Sequence, residues 1–369
     1  MTQHAPAAVG PRHRALVAAV QRNCNLADAR HAQGLTMCIY LLQMREHFRW
    51  EQGLPLAAPL DRRAVGRWIG EREALWQDLD DTPDAALEML PLDGGADPFD
   101  ESLVNAALDP DGLAYGAGLA RLGAPVFVVA ERLSDQQRDG VRVRVLGREY
   151  ARGLNPPVAA SNDAGILIRR DAMRRWLATR QELSVQRAMD DAFSIAYARY
   201  AGVDPGDALP TGDAAVQALE RLVDGEIETL VLHELGEVRA EALLGPDWPR
   251  MLGDGLDPRV ELRLRALRDL LADSLVTLPV LCERAASTSL HFWFATFEGL
   301  RRQLAPDWVR AYRDWSAGQH DALAKAARAG RRHWLELARR CLDAWRQGGS
   351  PTLAATIRAD LDPSMPAAE

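Results

Sequence analysis

The residues most able to do chemistry sit in one short stretch, ETLVLHELGE, Glu228 to Glu237. Placed on a helix at 100° per residue, His233, Glu237, Glu226 and Glu241 fall within an arc of about 80°, with Glu234 on its edge. Ile227, Val231, Leu235, Val238 and Ala242 take one flank, and Leu232 and Leu243 the other. Carboxylates stacked at i,i+4 repel by roughly 0.2–0.5 kcal/mol per pair when exposed, and far more when buried. The stripe therefore needs a cation, either a metal ion or an arginine. A second helix, RVELRLRALRDLLADSLVTLP, offers both answers. Asp269 and Asp273 lie one turn apart on a face shared with Leu262, Ala266 and Val276. The arginines Arg259, Arg263, Arg265 and Arg268 offer the bland alternative.

The five residues HELGE resemble the HExxH helix of zinc peptidases, with Glu237 where the second histidine would stand. The resemblance covers one helix and has one mismatch. It implies that His233 and Glu237 are metal ligands, that Asp269 or Asp273 completes the set, and that Glu234 is the general base. Carboxylate in place of imidazole makes the donor set harder, so the expected divalent ion is zinc, iron or manganese, with a shift away from zinc. The same helix resembles half of a ferritin-like di-iron bundle, but a second copy of its motif is not found.

A second stretch, NCNLADARHAQGLTMCIYLLQMREHFRWE, is the other unusual segment. At helical spacing Cys24, Asp28, His31, Leu35, Cys38 and Leu42 line one side, with Gly34 interrupting. On a functional reading Asp28, Arg30 and His31 reach a ligand or metal, with Cys24 beside them. On a structural one Asp28 and His31 are an i,i+3 hydrogen-bonded pair and the cysteines are small core residues.

The elements that must position these groups are mainly helical. Residues 12–52 read as helix, with a break expected at Asn23-Cys24-Asn25 and Asn25 as the cap of the second piece. Residues 61–79 form another helix, and the Asp-, Pro- and Gly-rich stretch 80–112 reads as loop with short helices. APVFVVAERL and VRVRVLGREY read as an antiparallel hairpin across the turn SDQQRDG, its arginines on a wet face, and GILIRR adds a third strand. The glycines of GLAYGAGLARLG precede a strand and lack a P-loop lysine, so they read as a turn or as close helix packing. From Asp171 onward the pattern is helical, ending in a frayed tail, DPSMPAAE. LHFWFATFEGL and Trp308, Trp315, Trp334 and Trp345 read as core. The fold class expected is mainly α (α+β), a helical protein with a small antiparallel sheet near residues 124–170. The expected domains are residues 1–170, helices plus sheet, and 171–369, all helical.

Composition bounds the function. A chain of 369 residues, 47% hydrophobic, can bury a large core without staples. The net charge of −8 disfavours nucleic acid, and 43 of its 44 basic residues are arginine, Lys325 being the exception. No apolar run reaches a membrane-spanning length, and the N-terminus lacks the apolar stretch of a signal peptide. Four scattered cysteines suit reduced thiols, so the expected location is cytoplasmic, with a homo-oligomer compatible.

The combination of NCNLADARHAQGLTMCIYLLQMREHFRWE, VRVRVLGREYARGLNPP and LHELGE followed by RDLLAD is similar to a family of uncharacterised bacterial proteins, over most of the chain. That resemblance implies no activity. The reading is a metal-dependent hydrolase-like protein of unknown substrate. The alternatives are a non-catalytic helical scaffold and a carboxylate-bridged iron protein.

Overall fold

A computed structural model of the chain describes residues 10–81, 86–120, 123–187 and 192–361. The tail DPSMPAAE lies outside the described residues. The fold is mainly helical with one small, curled five-stranded sheet. The chain divides into two compact units, Met1–Ala188 with Thr211–Asp224, and Met189–Pro210 with Gly225–Glu369. Among the described residues, no helix is long and apolar enough to cross a membrane.

In the first unit, α1 (Arg14–His31) runs without a break through Asn23-Cys24-Asn25, against expectation. The two asparagines find tertiary partners that outweigh their preference for a helix end. Asn23 donates to and accepts from the backbone of Glu88, at 3.0 and 2.7 Å. Asn25 Oδ1 accepts from Arg72 at 3.0 Å. The apolar side of α1 (Leu16, Val17, Val20, Cys24) packs with Phe127, Val129 and Ala151 of the sheet. A helical turn ending at Gly34 separates α1 from α2 (Met37–Glu51), so the line from Cys24 to Cys38 is broken and Cys38 is exposed. Helix α3 (Arg62–Asp80) is capped by Asp61, and α4 (Glu101–Leu108) by Asp100, each accepting a first-turn N–H.

The sheet comprises β1 (Leu113–Leu119), β2 (Pro125–Arg138), β3 (Val141–Arg152), β4 (Ala159–Asn162) and β5 (Gly165–Arg169), in the order β1-β2-β3-β5-β4. It starts earlier than expected, since LAYGAGL is a strand and not a turn. Gly116 lets the Leu167 side chain lie against the strand there, since a Cβ would stand 2.4 Å from Leu167 Cδ2. The pairing is antiparallel except between β3 and β5, which run parallel. The turn SDQQRDG shrinks to Asp139-Gly140, both at positive φ (52° and 81°), the twist that suits a two-residue hairpin loop. The wet arginine face is only partly wet. Arg144 and Arg152 are 2% and 1% exposed. Arg144 pairs with Glu101 at 3.1 Å, which itself accepts from Ala117 N and Asn162. Period-two alternation reports two different faces, and here the second is covered at Arg144 and open at Arg148. Helix α5 (Arg170–Arg187) follows β5 directly.

The second unit is helical: α6 (Ala192–Ala201), α8 (Asp247–Leu252), α9 (Pro258–Ala272), α10 (Leu278–Glu283), α11 (Ser287–Thr296), α12 (Gly299–Leu304), α13 (Pro306–Ser316) and α14 (Ala322–Asp360). Helix α7 (Gly212–Leu244) begins in the first unit and ends in the second. Asp257 and Pro258 start α9, the Asp257 side chain accepting from Arg259 N. Between α9 and α10 the backbone widens into one π-turn, Asp273–Thr277. Pro279, just beyond it, has no N–H and crowds the preceding turn, which a π-turn relieves. Helix α14 kinks at Gly348 and Gly349. The aromatic run is core, as expected. Phe292, Trp293, Phe294 and Phe297 are buried, Trp293 stacks on Phe297 at 4.7 Å, and Phe294 stacks on Tyr312 at 4.2 Å.

Candidate metal centre

His233 and Glu237 project from α7, and Asp269 from α9. One donor atom from each lies within 4.8 Å of the others, close enough for a single ion to hold all three. Two features of the sequence bring these helices together. The i,i+4 spacing puts His233 and Glu237 on one face, and Gly236 between them removes the side chain that would hold α9 away. A Cβ on Gly236 would lie 2.5 Å from the Ala272 carbonyl oxygen. The π-turn begins at the next residue, Asp273.

Asp273 is fully buried, and both of its oxygens are engaged. Oδ1 lies 2.8 Å from His233 Nδ1 and accepts from Trp293 Nε1 at 3.1 Å. Oδ2 accepts from Arg301 at 3.2 Å. With Nδ1 turned to Asp273, Nε2 is left facing Glu237 Oε1 at 3.4 Å. This is the carboxylate–imidazole pairing that orients metal-ligating histidines. Of the two aspartates read as ligands, Asp269 is the one that converges with His233 and Glu237, and Asp273 holds the far side of the ring.

The electrostatics follow. Burial alone would make His233 less basic, but the charge and hydrogen bond of Asp273, with Glu237 behind them, raise its pKa well above the usual histidine value. Burial pushes Asp273 and Glu237 up, yet both are held below the usual carboxylate range. For Asp273 the cause is His233 and then Arg301, and for Glu237 it is His233 and Arg268. Asp269 is raised, by burial and then by the neighbouring Glu237 charge. The arginine alternative is present as well. Arg268 lies 2.6 Å from Glu237, 2.9 Å from Glu241 and 3.4 Å from Asp269.

The remaining sequence candidates separate. Glu234 is buried, 6% exposed, and is not one of the three converging donors. Glu226 leaves the stripe: its carboxyl accepts from Tyr200 (2.8 Å), Thr229 (2.6 Å) and Ser289 (3.1 Å). In the first unit, Cys24 is buried in the apolar core, and burial pushes its thiol pKa far up. Asp28 accepts from Leu154 N at 2.9 and 3.0 Å, so it is not His31 that it binds. Arg30 and His31 are exposed and are not gathered with Cys24 and Asp28. Sequence reasoning missed Arg301 altogether and took Trp293 for core alone, because both reach Asp273 from outside the two helices whose periodicity could be read.

The family models of one family account for nearly the whole chain. The N-terminal domain of a family of unknown function (DUF6866) matches residues 15–169, and its C-terminal domain matches residues 174–364. The chain belongs to that family, in keeping with the resemblance carried by its motifs. No curated protein matches it. No solved structure matches it either.

Proposed function

We propose that the second unit binds one divalent metal ion through His233, Glu237 and Asp269, and that the protein is a metal-dependent hydrolase. The observation that carries this reading is the convergence of three donors around an imidazole whose other nitrogen is already fixed by Asp273. One nitrogen and two carboxylates form a hard set, suited to iron, manganese or zinc with positions left over. An ion held there supplies Lewis acidity. The chain's own groups do the rest. Asp273 keeps the His233 ring in place, Arg301 and Trp293 keep Asp273 in place, and Glu234, next in sequence to His233, is the proton acceptor. The cytoplasm belongs to the same reading, supported by four unpaired cysteines, one of them exposed at Cys38.

A second reading rests on Arg268. Its three carboxylate partners satisfy the acidic stripe without a metal, which suits a non-catalytic helical scaffold. Elemental analysis of the purified, tag-free protein beside a His233→Ala/Glu237→Ala variant separates the two. Near-stoichiometric zinc, iron or manganese in the parent and none in the variant supports the metal site. Failure of the parent to retain any of the three after incubation with each favours the scaffold. Glu234→Gln then tests the base, since it should keep the metal and lose turnover.

A further inference from the structure

Arg268 is built into the candidate metal centre. It sits on α9, next in sequence to Asp269, and only 14% of its side chain is exposed. Its Nη1 donates to Glu241 Oε1 at 2.9 Å, which anchors the guanidinium. Its Nη2 serves two of the three converging donors at once. It lies 2.6 Å from Glu237 Oε2 and 3.4 Å from Asp269 Oδ1.

The Glu237 oxygen that Arg268 pairs with is not the one turned to the imidazole. Glu237 Oε1 faces His233 Nε2 at 3.4 Å, whereas the close approach of Arg268 is to Oε2. An ion held by His233, Glu237 and Asp269 therefore meets one Glu237 oxygen while the other is paired with a guanidinium. Asp269 has its Oδ1 engaged by the same nitrogen. Arginine suits this task, because its planar fork has a fixed shape and stays charged. Each carboxylate is left with one oxygen to give. One imidazole nitrogen and two single oxygens suit zinc, manganese or iron, which accept mixed nitrogen and oxygen donors. Calcium takes roughly six to eight oxygens and reaches that number by using both oxygens of a carboxylate.

We propose that Arg268 sets the ion preference of the centre: by holding Glu237 Oε2 and Asp269 Oδ1 it keeps both carboxylates single-oxygen ligands and favours a transition-metal ion over calcium. The inference rests on the metal reading above and deepens it. Arg268 and the ion then use different oxygens of Glu237, so the arginine positions a ligand and does not replace the metal. A quarter of the Asp269 side chain is exposed, 25%, which gives an ion its way in. Removing a positive charge beside the site strengthens the binding of every divalent cation. Affinity alone therefore does not read the role of Arg268, but the ratio between two ions of equal charge does.

The test is calorimetric titration of the full-length, chelator-stripped protein with manganese, zinc and calcium chlorides in separate runs. The parent is expected to bind manganese or zinc at one saturable site, and calcium far more weakly. In Arg268→Met that preference should fall by about tenfold or more, because calcium regains the second carboxylate oxygens. Arg332→Met, exposed on α14, should leave it unchanged. Should Arg268→Met fail to fold, Arg268→Lys keeps the charge but lacks the fork, and should shift the preference in the same direction. A parent that binds neither manganese nor zinc overturns the metal reading and this inference with it. A parent that binds them, with a preference that the Arg268 variants leave intact or with calcium held as tightly, overturns the role of Arg268 alone.

Discussion

Gly236 of α7 lies directly against the backbone of Ala272: a Cβ on Gly236 would stand 2.5 Å from the Ala272 carbonyl oxygen and 2.9 Å from its carbon. Backbone cannot swing aside as a flexible side chain can. The two helices therefore meet at main-chain contact, and this closeness lets the short side chain of Asp273 reach His233. Alanine favours a helix by about 1 kcal/mol over glycine. Forced separation of packed helices costs about 1–3 kcal/mol. Gly236→Ala is expected to lower stability and to weaken metal retention, read by urea unfolding and metal content. A more stable, fully loaded variant would sink the close-packing argument.

Asp273→Asn tests the orienting role. The amide keeps the shape but loses the charge that fixes the His233 ring. Loss of an outer partner of a ligating histidine costs about 10–100-fold in metal affinity. Chelator competition should show a drop in that range while the ion can still bind. An unchanged affinity would place Asp273 outside the site's working parts.

Asp28 supplies a pH signature. Burial pushes its carboxyl up to about 7, against the Leu154 N–H and the charges of Arg152 and Arg72. An unfolded aspartate titrates near about 3.9, so the folded state holds its proton more tightly. Its contribution is thus fully present below the unfolded pKa and is lost as pH rises through about 7. Asp28→Asn cannot titrate and keeps an acceptor for Leu154. Denaturant unfolding should favour the variant increasingly from pH 5 to pH 8, by on the order of 1–3 kcal/mol across that span. Parallel stability curves for parent and variant would contradict the burial effect.

Gly165→Ala probes the parallel pairing of β3 and β5. Gly165 has φ 116°, and a Cβ there would stand 2.2 Å from the Arg142 carbonyl oxygen. Both the strained backbone and the clash oppose a side chain, so a loss of about 2 kcal/mol or more is expected in thermal or urea unfolding. Wild-type stability in this variant would mean that β5 can shift away from Arg142 at no cost.

Much of the candidate site was legible because two helices carry it and helices have a period. His233 and Glu237 share a face by spacing alone, and so do Asp269 and Asp273. Their meeting needed only a glycine where the helices touch. Arg301 and Trp293 were not legible as partners of Asp273, because long-range contact has no local signal. The π-turn at Asp273 was hidden for a similar reason: Pro279 warns of a disturbed turn without saying which way the backbone relaxes. The sheet was half legible. VRVRVLGREY alternates as a strand should, and Asp139-Gly140 is a hairpin turn, but alternation does not say whether the arginine face meets water. The long reach of Glu101 to Arg144 decides that. In α1, the asparagines read as a helix break because their partners, Glu88 and Arg72, lie far along the chain.

The division of the chain sets an order of events during synthesis. The first compact unit includes Thr211–Asp224, but residues 189–210 belong to the second. A ribosome making this protein therefore releases part of the second unit before the first is complete. Proteins commonly fold as domains emerge, N-terminal first. Here that schedule is interrupted, and the N-terminal unit can be finished only after residue 224 has left the exit tunnel.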